Sequence, residues 1–242
     1  MRRLADTPEL LDGPLDDPAA LAANLRDLRR VNRLLGGSAL SARAIDALLV
    51  TRTGPRSGPV SLLDVGTGAA DIPEALLDRA ARDGTNLSIA AVDARPEVLA
   101  AALAIRPRLA DEPRLQLAPG DARSLDAPDA SHDVVHASML LHHLEALEVM
   151  EVLREMRRVA ALGVVVNELN RSRLGWLGAW LIGHLLTRSR LTRNDAPLSV
   201  RRAFTIAEMR GLLVEAGLRP IYTAVGPFGH RYAIAAVRDP AT

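Results

Sequence analysis

The chain has 242 residues, 24% of them charged, and a net charge of only +1, so no global field draws it to nucleic acid or an acidic membrane. It contains no cysteine and no lysine, which excludes disulfides, thiolate ligands, thiolate nucleophiles and lysine Schiff bases. No apolar run approaches the ~20 residues that span a bilayer, and Met1-Arg-Arg-Leu-Ala-Asp6 lacks a signal-peptide core. A soluble cytoplasmic protein with one α/β domain and an added cap is expected.

Residues 1–16, rich in proline, aspartate and glycine, read as irregular. Leu21, Leu25 and Leu28 recur at helical spacing from Pro18 to Leu35, and Gly36-Gly37 closes that helix. A second helix is expected from Ser38 to Val50, then a turn-rich linker to Pro59. Val60 to Val65 is an apolar run that reads as a strand buried on both faces. It leads into a turn with Gly66 and Gly68, where the backbone can approach a ligand closely. A helix follows, with Asp71 as N-cap, Pro73 in its first turn and Glu74 completing a capping box. Leu87–Val92 is the second strand, and Asp93 stands at its carboxyl end, the edge where doubly wound sheets bind ligands. Leu115–Ala118, Asp133–Ser138 and Leu162–Glu168 are strands three to five. Thr205 and Glu208 form a capping box for the last helix, and Leu218–Val225 and His230–Val237 pair around Gly226-Pro-Phe-Gly229.

Strand, glycine turn and helix N-terminus make a nucleotide-type cradle. Asp71 occupies the place of the third glycine of a dinucleotide fingerprint, which disfavours a nicotinamide dehydrogenase. Asp64-Val-Gly66-Thr67-Gly68 resembles instead the first motif of the class I, Rossmann-like methyltransferases that use S-adenosylmethionine. The resemblance covers residues 60–238. It implies an α/β fold: a doubly wound, mostly parallel seven-stranded sheet with an antiparallel last strand, an N-terminal helical cap over 1–59, and a helical insertion after strand five over about 171–203. It also implies S-adenosylmethionine as cofactor, with S-adenosylhomocysteine as its product. The cofactor would be held by Asp64, Gly66, Thr67 and Gly68, by Asp93 and Ala94 on the ribose, by Asp121 and Ala122 on the adenine, and by Ala137 and Ser138. Arginines 26, 29, 30 and 33 are either a solvated helix face or part of a cap that brings Asn32 or Arg33 to the cofactor's carboxylate.

The acceptor belongs after strands four and five. Ser138-Met-Leu-Leu has neither the prolines nor the aromatic residue of the base-amine methyltransferases, and no basic stripe interleaves with aromatics. Nucleic acid is therefore not the expected partner. Leu140-Leu-His-His-Leu144 resembles the small-molecule branch, which implies O-methylation of an apolar or aromatic acceptor in secondary metabolism. His142 and His143 are the candidate proton acceptors, oriented by Glu168 or Glu145, although one of the pair could be structural. No metal is expected; His132 and His136 share a strand face, but a third ligand is not evident. Asn167, Arg171, Trp176, Trp180, His184 and His230 complete the candidate acceptor site. Leu174 to Leu186, too short to span a bilayer, is either a lid over the acceptor, a core or subunit contact that leaves a homodimer open, or a membrane-surface contact without stable insertion. Residues 191–204 loosely resemble methyltransferases of aromatic polyketide and phenolic-lipid pathways. A non-catalytic module or partner subunit that keeps the fold is the rival reading.

Overall fold

Seven strands form one sheet in a computed structural model that describes residues 1–4, 6–52, 58–185, 187 and 189–238. In chain order the elements are α1 (Pro18–Leu34), α2 (Gly37–Leu49), β1 (Val60–Val65), α3 (Asp71–Asp83), β2 (Leu87–Asp93), α4 (Pro96–Ile105), β3 (Leu115–Pro119), β4 (His132–Ser138), α5 (Ala146–Val159), β5 (Ala160–Leu169), α6 (Arg173–Leu185), α7 (Arg190–Arg202), α8 (Ile206–Glu215), β6 (Leu218–Val225) and β7 (Arg231–Arg238). Residues 53–57 of the expected linker lie outside the described residues.

The strand order is β3-β2-β1-β4-β5-β7-β6. β7 runs antiparallel to both of its neighbours, and the other pairs are parallel. Period two along each strand splits the core into two layers. Leu63, Val65, Val135, Ala137, Val164 and Val166 face α5 and α8. Leu62, Val134, Val165, Ala233 and Ala235 face α2 and α3. The order reverses between β1 and β4, which places the ligand crevice of such a sheet at their carboxyl ends.

Two local expectations are corrected. Asp71 is the first residue of α3 rather than its N-cap; Ala70 takes the cap position at φ 51 with no side-chain bond. The Asp71 carboxylate instead accepts from Asn32 Nδ2 at 3.0 Å. Glu74 does not close a capping box either, because its carboxylate is buried and bonded to Arg106 and Arg108. Sequence spacing identified the helix start, but partners distant in the chain took both carboxylates, the Asn32 amide for Asp71 and two arginines for Glu74. α2 packs on β5, β6 and β7 as part of the sheet's second layer.

Candidate active site

At the end of β1 the chain turns through Gly66, Thr67 and Gly68, with both glycines at positive φ (68° and 55°). A Cβ at Gly66 would meet the Leu140 side chain at 2.9 Å, whereas one at Gly68 would stand in open space. That opening is room for a ligand against bare backbone. Asp93 accepts the Gly68 N–H at 2.9 Å and the Arg95 N–H at 3.1 Å, one on each oxygen. Burial raises its carboxyl, and these two N–H groups oppose the rise. Thr67 Oγ1 is buried with no partner among the described residues. Such an orphaned hydroxyl beside a cavity calls for a ligand atom or water.

A second polar cluster closes the end near α1. Arg231 is buried; its guanidinium donates to Asn167 Oδ1 at 2.6 Å, to Ser138 Oγ at 2.8 Å and to Asn32 Oδ1. Burial lowers its pKa to about 10, with Glu168 and Asp71 opposing, so it remains a cation at neutral pH. Gly37 permits this, since a Cβ there would meet Arg231 Nη1 at 2.6 Å. Asn167 also donates to Ser41 Oγ at 2.7 Å, and Ser41 Oγ lies 2.8 Å from His136 Nε2. His136 Nδ1 is 2.5 Å from Asp64 Oδ1. One buried network thus runs from the first-motif aspartate to the last strand.

The third cluster holds the histidines. His142 is buried, and its Nδ1 lies 2.8 Å from Glu168 Oε2, while Glu168 Oε1 accepts the Leu141 N–H at 2.7 Å. Burial would push the Glu168 carboxyl up, but the His142 ring and the Leu141 N–H hold it below the usual carboxylate range. An ionised Glu168 makes Nδ1 the protonated nitrogen of neutral His142 and leaves the Nε2 lone pair free. Nε2 lies 3.7 Å from Oε1 of Glu9, a buried carboxyl oxygen with no hydrogen-bond partner among the described residues. Burial pushes Glu9 up to about 7, against the opposing charge of His143. His143 Nδ1 is 2.6 Å from Asp12 Oδ1. Arg202 of α7 donates to the carbonyls of His142 (3.0 Å), His143 (2.7 Å) and Thr7 (2.6 Å), so it fixes the histidine turn and the N-terminal segment together. Glu9, His142 and His143 are also the one group with metal-ligand spacing among the described residues.

All three clusters open onto one cavity of about 1110 Å³, whose wall includes Gly66, Gly68, Asp93, Arg231, His142 and Glu9. By sequence, the family described as "Methyltransferase domain" matches residues 62–163, which contain the glycine turn, Asp93 and the histidine pair. That stretch matches a methyltransferase domain by sequence, and the sheet as a whole has the methyltransferase fold.

No curated protein matches the chain by sequence. Among solved structures, an S-adenosylmethionine-dependent methyltransferase from Aquifex aeolicus is 18% identical, covers 91% of this chain and 97% of its own, and superposes with a TM-score of 0.60. Human N-acetylserotonin methyltransferase in complex with S-adenosylmethionine is 16% identical over 94% of this chain and 61% of its own, at a TM-score of 0.66. The mitomycin 7-O-methyltransferase MmcR is 20% identical over 82% and 54%, at 0.57. At these identities the likeness is one of fold.

Of the residues expected at the site, Asp64, Gly66, Thr67, Gly68, Asp93, Ala94, Ala122, Ser138, His142, His143 and His230 line the cavity. Ala137 is buried in the core, and Asp121 is exposed, its carboxylate taken by Arg123 at 2.9 Å. Glu168 and Asn167 sit behind the wall, the one holding His142 and the other Arg231. Arg171 is bonded to the Ala203 carbonyl and to Glu208. Trp176, Trp180 and His184 face outward on α6, while Leu177, Gly178 and Ile182 of the same helix line the cavity. Glu9, Asp12, Arg202 and Arg231 were missed. The first two lie in a stretch with no periodicity, and neither arginine stood in a motif.

Proposed function

We propose that this chain transfers a methyl group from S-adenosylmethionine to an oxygen of a small, largely apolar acceptor. The donor set fits that cofactor. The bare turn at Gly68 admits its body, Asp93 has lone pairs for a ribose diol, and buried Arg231 with Asn32 offers a cation and an amide to its carboxylate. When bound, S-adenosylmethionine supplies an electrophilic methyl on a sulfonium. The chain's own residues then supply position, dryness and a proton acceptor.

The observation that carries the reading is the His142–Glu168 pair on the cavity wall. Its tautomer leaves an imidazole lone pair on Nε2, able to take a hydroxyl proton as the acceptor oxygen attacks. His143, held by Asp12, is the secondary candidate, and Glu9 is positioned to receive the proton from His142. An apolar acceptor follows from the other lining residues, among them Leu28, Val31, Leu35, Leu140, Leu174 and Ile182. Two fold neighbours are named for small acceptors, as an N-acetylserotonin methyltransferase and a mitomycin 7-O-methyltransferase, and a role in secondary metabolism is part of the same proposal. The test is to incubate the protein with deuterium-labelled S-adenosylmethionine and a panel of phenols and quinols. Products carrying one labelled methyl are expected. Cofactor binding without transfer to any hydroxyl acceptor, but with transfer to amines or carbon acids, would overturn the choice of oxygen.

A further inference from the structure

α6 carries an exposed apolar surface beside the cavity. It packs on α7 through buried Gly175 and Gly183, the latter so close that a Cβ would lie 3.4 Å from Arg193 Cα. Small residues thus face inward, and the bulky ones face out. Trp176, Leu177, Trp180 and Leu181 are 36–46% exposed, and Leu185 is 72% exposed. Beside α6 sits the turn Pro227–Gly229, where Phe228 at φ 56 is 94% exposed. Leu177, Leu181 and Phe228 also line the cavity. The exposed apolar face therefore continues directly into the cavity mouth.

Along the chain through this face the charge has one sign, although Arg171 is paired with Glu208. From Arg171 to Asn194 the chain has arginines at 171, 173, 188, 190 and 193 and no carboxylate, in a protein whose net charge is only +1. Arg173, Arg190 and Arg193 are exposed and have no carboxylate partner among the described residues; Arg188 lies outside them. An apolar face with tryptophans, flanked by arginines and too short to span, is the pattern of a helix lying in a lipid interface. Self-association through the same face would bring two arginine sets together, which like charge disfavours.

We propose that α6 and Phe228 seat on an anionic lipid surface, from which the acceptor enters the cavity. The first part stands on the surface alone, and only the acceptor's route rests on the methyl-transfer reading. The full chain should float with vesicles containing phosphatidylglycerol and not with pure phosphatidylcholine, and added salt should weaken the binding. Both tryptophans of the chain lie on α6, so their emission should shift to the blue with anionic vesicles alone. Arg173→Gln and Arg190→Gln should each weaken partition by about fivefold, with S-adenosylmethionine affinity unchanged as the check on folding. Trp176→Ser with Trp180→Ser should abolish flotation. Equal binding to both vesicle types, no flotation at all, or a blue shift that follows protein concentration without vesicles would overturn the proposal, the last result assigning the face to a second copy. None of these readouts needs turnover, so a failed acceptor screen and a failed vesicle assay remain separate results.

Discussion

At the scale of single residues, His142 and Glu9 carry the sharpest expectations. If Nε2 of His142 takes the acceptor proton, His142→Ala should lower kcat by about 10²–10⁴. Glu168→Gln should slow turnover too, because an amide cannot hold the imidazole tautomer as a carboxylate does. Steady-state rates near the parent's in His142→Ala would leave His142 a structural residue. Glu9 makes a prediction about stability. Its pKa rises from 4.5 to about 7 on folding, so the native state holds its proton more tightly than the unfolded chain. That contribution is complete below about pH 4.5 and lost as the pH rises through about 7, where the carboxylate must ionise while buried. At ~1.4 kcal/mol per pH unit, the loss is about 3 kcal/mol. Glu9→Gln should remove it, gaining stability over the parent at pH 8 but not at pH 4; urea midpoints at the two pH values decide. Such residues were hidden in the sequence because their roles come from burial. Nothing in Pro8-Glu9-Leu10 announces a buried carboxyl, whereas the apolar run before Asp93 placed that residue at the carboxyl end of β2.

At the scale of elements, alternation and capping signals placed the strands well, and packing decided what the sequence left open. The βα units and the β6–β7 pair were readable from apolar runs broken by Gly66, Gly84, Gly217 and Gly226. The orientation of α6 was not. Two tryptophans four residues apart suggest a face to bury, yet Gly175 and Gly183 form the side that approaches α7, and the larger face is turned out. β5 shows the same principle from within. A Cβ at Gly163 would lie 2.2 Å from the Ala236 carbonyl oxygen and 3.0 Å from Leu48. The oxygen belongs to the neighbouring strand's backbone and cannot swing away, so β5, β7 and α2 close together only because position 163 is bare. Gly163→Ala should cost at least about 1–3 kcal/mol, the range of overpacked cores. Thermal unfolding measures it, and a melting temperature equal to the parent's would show that β5 and β7 separate more easily than their register implies.

At the scale of the whole molecule, the site is assembled from parts far apart in the chain. The sheet's carboxyl edge supplies the cradle, α1 supplies Asn32, β7 supplies Arg231, and the N-terminal segment lies across the histidines. That segment is tied by Arg95 to the Leu11 and Gly13 carbonyls, by Asp195 to the Leu10 and Leu11 N–H groups, and by Leu4 N–H to the Arg201 carbonyl. From its composition it read only as irregular, since backbone bonds to distant side chains leave no periodic trace. No helix of the described residues is long and apolar enough to cross a membrane. The central claim is that the cradle at the β1–β4 reversal binds S-adenosylmethionine. Calorimetric titration of the full chain with that cofactor tests it most directly. Saturable one-to-one binding is expected in the parent chain. Asp93→Ala should weaken it by about 2–4 kcal/mol, the worth of one or two hydrogen bonds to a charged group, and Gly68→Val should abolish it while the fold survives. No heat of binding in the parent, or the same affinity in all three proteins, would contradict the claim.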